Sequence, residues 1–229
     1  MRRAFALAAL LCAGAAGAQV DSRNPTCPAT PDWSNYETMR FTAVKREGHN
    51  ILLAEGRVDD NLVARLTAAL EKNKPIDEIW IRSPGGNAEV GNQAGLLIRK
   101  AGIPTRIPKG WACFSACNFV FMGGPVRAVD EGGLFIVHMF TFTSDGGVIA
   151  AEVQRGYKEA VSTIGEVEQG SALLASQDND FLIRMGVSRK LLTEVMYQQK
   201  AVAGDGKDQS TRRCLTQDEM LKYNVVNYR

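Results

Sequence analysis

The chain has 229 residues, of which 45% are hydrophobic, and this is enough apolar material for one globular domain with a substantial core. Its 27 Lys and Arg residues nearly balance its 25 Asp and Glu residues, which leaves a formal net charge of +2. This near neutrality argues against a nucleic-acid partner that is bound through neutralisation of phosphates.

The first residues have the pattern of a secretory signal peptide. Arg2 and Arg3 form a basic start, residues 4–13 are apolar, and Ala16-Gly-Ala18 has the small side chains of a cleavage site. The apolar stretch is too short for a typical transmembrane helix, and no later segment is long and apolar enough to span a membrane. We therefore expect residues 1–18 to be removed and the mature chain to be periplasmic or secreted.

Export changes the interpretation of the cysteines. Four of the five cysteines follow the predicted signal peptide, and an even number in an oxidising compartment favours disulfides. Cys113 and Cys117 are close enough in sequence to bridge a turn, and Cys27 and Cys214 lie near the two ends of the chain. We expect these two pairs, with Cys113 and Cys117 as small buried side chains being the alternative.

The remaining chain alternates between short apolar strands and amphipathic helices. Residues 19–38 are polar and contain three prolines, so we expect an extended arm before a single domain over 39–229. In chain order the pattern predicts strands at 39–45 and 51–54, helix 59–74, strand 76–81, helix 88–101, strands at 103–107, 126–129 and 134–137, helices at 148–185 and 188–196, a short helix capped by Thr216, and strand 225–226. This alternation indicates an α/β domain with mainly parallel strands.

Three details of these elements are more specific. A turn is expected at His49-Asn50, between the first two strands. The strand at 103–107 is expected at a sheet edge, because Pro104 lacks a backbone donor. The long helical segment is expected to break near Gly165 or Gly170, because glycine weakens a helix interior.

The segment around Ser115 predicts a strand end, a sharp turn and a short apolar helix. The helix runs through Phe121 and stops at Gly123-Gly124, a glycine signal for a helix end. A serine at such a turn exposes its hydroxyl beside backbone N–H groups that have no helical partner. This is the arrangement that an acyl-transfer nucleophile needs, although a serine that only caps the helix is the simpler alternative.

Two other turns follow apolar strands and are expected on the same side of the sheet, since the carboxyl ends of parallel strands lie together. Gly85 and Gly86 can direct backbone N–H groups toward a ligand, because no side chain blocks its approach. Gly86 and Ala116 are thus candidates for an oxyanion hole, with Gly85 as a substrate-binding residue. His138 is the candidate general base for Ser115, with a buried structural histidine as the alternative.

These residues carry a resemblance to a known family. The segments 51–60 and 79–86, then Ser115, a following Gly-Gly-Pro-Val-Arg and His138, look like the ClpP serine peptidases of the ClpP/crotonase superfamily. The Cys-x-Ser-Ala-Cys pattern at 113–117 is similar to exported ClpP-like proteins of bacteria. The resemblance implies a single α/β domain of repeated ββα units, with Ser115 as nucleophile, His138 as base and Gly86 with Ala116 as oxyanion donors. It also implies a peptide or protein substrate, and it is compatible with a homo-oligomer.

The third member of the implied triad is ambiguous. Alignment backward from the C-terminal segment places Asp208 there, whereas alignment forward through the helices places Glu194 or Met196 there. Asp178 and Asp180 are further acids within reach of a helical segment. A partner for the second histidine nitrogen would fix its tautomer, and Asp208 is the residue that we select.

The sequence therefore predicts an exported serine hydrolase, peptidase-like, without a metal or organic cofactor. The two histidines lack ligand-like spacing to the cysteines, which argues against a zinc site. A non-catalytic binding or scaffold protein with the same fold is the main alternative, because a bridge beside Ser115 would either rigidify or block the turn. Acyl-CoA chemistry on the same fold is disfavoured by export.

Overall fold

The computed structural model describes residues 20–141, 146–202 and 210–228. The predicted signal peptide at 1–18 and the predicted triad acid Asp208 lie outside the described residues. Within the described ranges, no helix is long and apolar enough to cross a membrane.

The elements follow the predicted alternation of strands and helices. The strands are β1 (Val20–Asp21), β2 (Asn24–Pro28), β3 (Arg40–Arg46), β4 (His49–Glu55), β5 (Glu78–Arg82), β6 (Thr105–Ile107), β7 (Ala112–Phe114), β8 (Arg127–Val129), β9 (Leu134–Val137) and β10 (Arg213–Cys214). The helices are α1 (Leu62–Lys72), α2 (Ala88–Ala101), α3 (Cys117–Met122), α4 (Gly146–Arg155), α5 (Tyr157–Met185) and α6 (Gln217–Lys222), with a π-helical turn at Leu191–Val195 and a 3-10 turn at Met196–Gln198 between α5 and β10.

Two sheets organise the domain. The larger has the order β3-β4-β5-β6-β8, in which β3 and β4 are antiparallel and the other pairs are parallel. The smaller has the order β10-β9-β7, in which β7 and β9 are parallel. Most pairs are thus parallel, as the alternation of strands and helices predicts, and the carboxyl ends of β5, β7 and β9 are free to form a common site.

Helix α2 illustrates how the sequence specifies the helices. The Asn87 side chain accepts a hydrogen bond from the Val90 backbone N–H and caps the first turn. Val90, Ala94 and Ile98 recur at helical spacing and are buried in the core. Gly102 ends the helix in the left-handed conformation, with a φ of 70°.

The turn between β3 and β4 differs from the prediction. His49 and Asn50 belong to β4, where they pair with Arg46 and Lys45. The turn consists of Glu47 and Gly48, which have φ values of 49° and 86°. Two positive φ values in a two-residue loop match the right-handed twist of a hairpin, and the sequence signal is weak because glutamate rarely takes the first position.

Three further predictions about elements are wrong. The strand predicted at 103–107 is not at a sheet edge: β6 begins after Pro104 and lies between β5 and β8, with Thr105 and Arg106 paired on both sides. The long helical segment breaks at Gly156, which has a φ of 141°, and α5 continues through both suggested glycines. Val225 and Val226 are buried but form no strand, since their apolar side chains pack into the core without a partner strand.

The N-terminal arm is fastened to the C-terminal part of the chain. Cys27 and Cys214 form a disulfide with a Cα–Cα distance of 5.2 Å across 187 positions. The Arg212 guanidinium contacts the Asp21 carboxylate at 3.1 Å and lies over the Trp33 ring at 5.3 Å. The arm, which forms the β1–β2 hairpin, is therefore part of the folded unit.

A buried arginine holds the C-terminal segment against the larger sheet. Arg127 is 1% exposed, and burial lowers its pKa to about 10, with the nearby Arg99 charge acting in the same direction. Its guanidinium donates to four backbone carbonyls, those of Gly124, Met185, Asn224 and Val225. Two of these carbonyls, those of Asn224 and Val225, belong to the irregular C-terminal segment, and Arg127 supplies donors to them.

We expect Arg127→Met to lower the free energy of unfolding by about 3 kcal/mol, because several buried carbonyls lose their donor. Urea denaturation measures this loss. The control is Arg184→Met, because the Arg184 side chain is 60% exposed and pairs with Asp180 at the surface, so its loss is about 0.5 kcal/mol or less. Equal effects of the two substitutions would contradict the role given to Arg127.

Candidate active site

The carboxyl ends of three strands meet at one place. Strands β7 and β9 pair in parallel with Phe114 opposite Ile136, so the residues that follow them lie side by side. An isolated parallel bridge joins Ser83 to Cys113 and brings the turn after β5 to the same point. The structure thereby brings together the three turns that contain Gly86, Ser115 and His138.

The Ser115 turn is held in an uncommon conformation. Ser115 has a φ of 57°, which costs energy for any residue except glycine. The Asn118 N–H donates to the Ser115 carbonyl at 2.9 Å, and the Asn118 side-chain amide donates to the Ile136 carbonyl at 2.8 Å. A disulfide joins Cys113 to Cys117 across the turn, and both cysteines are fully buried.

His138 lies within hydrogen-bond distance of the serine. The distance between His138 Nε2 and Ser115 Oγ is 2.6 Å. The Phe114 ring lies 4.6 Å from the imidazole, centroid to centroid, and Trp33 stacks on Phe114 at 5.6 Å. The N-terminal arm therefore contributes an aromatic side chain to the layer that supports the imidazole.

The two glycines after β5 have different environments. The Gly85 N–H donates to the Ser83 hydroxyl at 3.0 Å, so it is engaged within the protein, whereas the sequence led us to expect it to face a substrate. Gly86 and Ala116 both line the cavity that contains Ser115 and His138. In the described part of the chain, neither of these two residues donates its N–H to another group.

Gly85 approaches the serine turn too closely for any side chain. A Cβ on Gly85 would lie 2.6 Å from the Phe114 carbonyl oxygen and 2.6 Å from Ser115 Cβ. Its φ of +84° also excludes most other residues. Gly85 is thus a packing residue of the site, and its close approach brings Gly86 to the cavity wall.

The candidate acids occupy different places. Glu194 accepts hydrogen bonds from Tyr223 at 2.9 Å and Lys222 at 3.1 Å, and it does not line the cavity. Asp180 is exposed and pairs with Arg184. Met196 lines the cavity but has no ionisable group. Asp208 is outside the described residues, and the nearest strand after it, β10, pairs with the strand that ends just before His138.

Asp178, one of the further acids that the sequence offers for the triad, lines the same cavity. It is 5% exposed, and burial raises the pKa of its carboxyl group to about 6, against the opposite effect of a hydrogen bond from Asn92 at 3.0 Å. Phe181, Leu182 and Met185 follow it at helical spacing and are buried. An aspartate on the apolar face of a helix is the signal that would have identified it.

The cavity has a volume of about 500 Å³, within the range of small-ligand sites. Its wall combines a serine, a histidine and two backbone N–H groups with apolar side chains. Over the described ranges, no group of three or more His, Cys, Asp or Glu side chains is placed to hold a metal ion. The arrangement has the groups that acyl transfer from a serine needs.

We expect Gly85→Ala to cost about 1–3 kcal/mol more unfolding free energy than Gly48→Ala, because the added Cβ meets the Ser115 turn. Gly48 is a matched control, since its φ is +86° and nothing lies within 4 Å of an added Cβ. The left-handed conformation alone costs about 1–2 kcal/mol in both variants. Chemical denaturation measures the difference, and equal losses would contradict close packing at Gly85.

We expect Asp178→Asn to stabilise the protein above pH 6 and to have little effect at pH 3.5. The folded-state pKa of about 6 lies above the ordinary 3.8. The protonated carboxyl therefore makes its full contribution to the free energy of unfolding below pH 3.8, and this contribution is lost as pH rises through 6. At pH 8 the free energy of unfolding of Asp178→Asn is therefore expected to exceed that of the wild type by about 3 kcal/mol. Denaturation of both proteins at the two pH values, with exposed Asp180→Asn as control, measures it. A gain that does not depend on pH would contradict this assignment.

The similarity of the chain to known proteins concerns its fold alone. No protein-family model matches the chain, and no curated protein matches its sequence. Among solved structures, a point mutant of ClpP1 from Listeria monocytogenes is similar, with a TM-score of 0.52 and 14% sequence identity over 78% of this chain and 89% of that chain. The chain therefore has the ClpP-like α/β fold that the sequence predicts.

Proposed function

We propose that the chain is an exported serine hydrolase that acts on peptide or protein substrates. The observation that carries the proposal is the 2.6 Å hydrogen bond between Ser115 Oγ and His138 Nε2, in a cavity that is also lined by Gly86 and Ala116. A nucleophile, a base and two backbone donors are the parts that acyl transfer requires. The ClpP-like fold supports the proposal at the level of architecture only.

The proposed reaction proceeds through an acyl-enzyme. With the imidazole proton on Nδ1, the Ser115 hydroxyl donates to His138 Nε2, which takes the proton as Oγ attacks the substrate carbonyl carbon. The N–H groups of Gly86 and Ala116 donate to the carbonyl oxygen as it becomes negative. The imidazolium then gives its proton to the leaving group, and water repeats the sequence to release the acid and restore Ser115.

Asp208 is proposed as the partner of His138 Nδ1. A carboxylate there would fix the tautomer in which Nε2 accepts, and it would stabilise the imidazolium that forms during the reaction. The proposal rests on sequence alignment, and the pairing of β10 beside Val137 supports it because this strand follows Asp208 in the chain.

Export is supported by the two disulfides, since such bonds persist in oxidising compartments. We propose cleavage after Ala18 and a periplasmic or secreted mature protein. A homo-oligomer is part of the same proposal, and exposed apolar side chains on the helical segment support it, among them Tyr157 at 83% and Val148 at 64% exposure.

We expect a fluorophosphonate to add once to the folded protein, at Ser115, because an adjacent base makes this hydroxyl nucleophilic. Intact-mass spectrometry before and after exposure to the reagent measures the adduct. Ser115→Ala abolishes it, and His138→Ala and Asp208→Asn slow its formation by about 100-fold or more.

Ser176→Ala is the matched control, because Ser176 is an exposed helix serine whose hydroxyl bonds the Ala172 carbonyl. This substitution leaves the rate of labelling unchanged. A folded protein that remains unlabelled, both before and after mild reduction of its disulfides, would exclude the hydrolase and favour a binding or scaffold protein with this fold.

A further inference from the structure

The cavity that contains Ser115 also contains a buried acid that the proposed reaction does not use. Asp178 projects from the second half of α5, is 5% exposed and forms part of the cavity wall. It lies on the face of α5 that packs on the core rather than at the surface. A carboxyl group in this position needs a physical explanation, because burial of a charge is costly unless the charge is paired.

The contacts of Asp178 leave that charge without a cation. Asn92 donates one hydrogen bond to Oδ1 at 3.0 Å, and within the described residues this is its single hydrogen-bond donor. Arg57 also lines the cavity, but over the same residues no ion pair joins it to Asp178. The other titratable groups that share the cavity with Asp178 are His138 and Tyr197.

Apolar side chains share the cavity wall with Asp178. Leu174, Met196 and the ring of Tyr197 line the cavity together with the carboxyl group. An apolar wall that ends at a carboxylate suits a long aliphatic stem with a cationic tip, since such a side chain buries its methylene groups and keeps its charge paired. Lysine and arginine are the side chains with this construction.

We propose that Asp178 is a specificity-determining residue that selects substrates with a lysine or arginine side chain on the acyl side of the bond that is cleaved. This inference rests on the proposed serine hydrolase, and it names the class of substrate for that site. The cationic tip pairs with the Asp178 carboxylate, and Asn92 orients the carboxylate through Oδ1. The pair compensates for the burial of a charge that has no cation beside it in the free protein.

A pair of matched substrates tests the proposal. N-blocked thioesters of lysine and norleucine have side chains of similar shape and differ in the terminal ammonium group. We expect kcat/KM at pH 8 to favour lysine by about tenfold or more, because a buried carboxylate discriminates strongly for a cation. Asp178→Asn reduces this ratio to about one and leaves hydrolysis of the norleucine thioester within about twofold.

The pH dependence provides a test that needs no variant. Burial raises the pKa of the Asp178 carboxyl group to about 6, so the acid is ionised at pH 8 and protonated at pH 5. The lysine-to-norleucine ratio is therefore expected to fall toward one as pH decreases through about 6. Any pH effect on the serine chemistry that the two substrates share cancels in the ratio.

Asp180→Asn is the matched control. Asp180 lies on the same helix and carries the same charge, but its side chain is 64% exposed and pairs with Arg184. This variant keeps the wild-type ratio at each pH. A wild-type ratio near one at pH 8, or a ratio that Asp178→Asn leaves unchanged, would overturn the proposal.

A binding measurement separates this inference from the proposed hydrolase. Calorimetry with Ser115→Ala compares the N-acetyl methylamides of lysine and norleucine, so no turnover is needed. Tighter binding of the lysine compound, lost in Ser115→Ala combined with Asp178→Asn, supports the cation site even if no ester is hydrolysed. Hydrolysis of both thioesters without preference, together with equal binding, would reject the cation site and leave the hydrolase in place.

Discussion

The site depends on the close approach of Gly85 to the turn at Ser115. The turn has a positive φ at a serine, a conformation that persists only where the surroundings determine it. Those surroundings are the backbone after β5, which lies within contact distance of Phe114 and Ser115 because Gly85 has no side chain. The same contact positions Gly86 on the cavity wall, so Ser115 and Gly86 are placed at the cavity by a single packing interaction.

Two further layers fix the turn. The Cys113–Cys117 disulfide bridges the turn, and the pairing of β7 with β9 aligns it with His138. The N-terminal arm adds Trp33 to the aromatic layer under the imidazole. Neither cysteine lines the cavity, so the buried disulfide constrains the turn without covering the cavity wall.

Much of the fold is visible in the sequence because local patterns and tertiary packing agree. Helix α2 has its cap at Asn87, its apolar face and its glycine end, and its predicted bounds are those observed. The hairpin turn at Glu47 was missed because a positive φ at glutamate is set by strand twist rather than by local preference. Gly156 is the break in place of the two suggested glycines, because its φ of 141° lies outside the helical region, whereas a glycine inside a helix costs only about 1 kcal/mol.

Some features of the site can likewise be predicted from the sequence, and others cannot. Ser115 and His138 are signalled by strand ends, and parallel pairing then brings them together. The engagement of the Gly85 N–H by Ser83 depends on a side-chain rotamer, which sequence does not specify. Helical spacing indicates that Asp178 lies on the buried face of α5, but its place in the cavity depends on the long-range packing of α5 on α2.

The disulfide between Cys27 and Cys214 has a mechanical consequence. It joins residues 187 positions apart, so nearly all of the described domain lies inside a covalent loop. A pulling force applied to the two ends passes through the sulfur–sulfur bond and bypasses the strands and helices between them. A protease that cuts one exposed turn within the loop likewise leaves both fragments tethered. Oxidation thus closes most of the chain into a covalent loop. Under tension, or after a single cut within the loop, Ser115 and His138 remain on one covalently connected molecule.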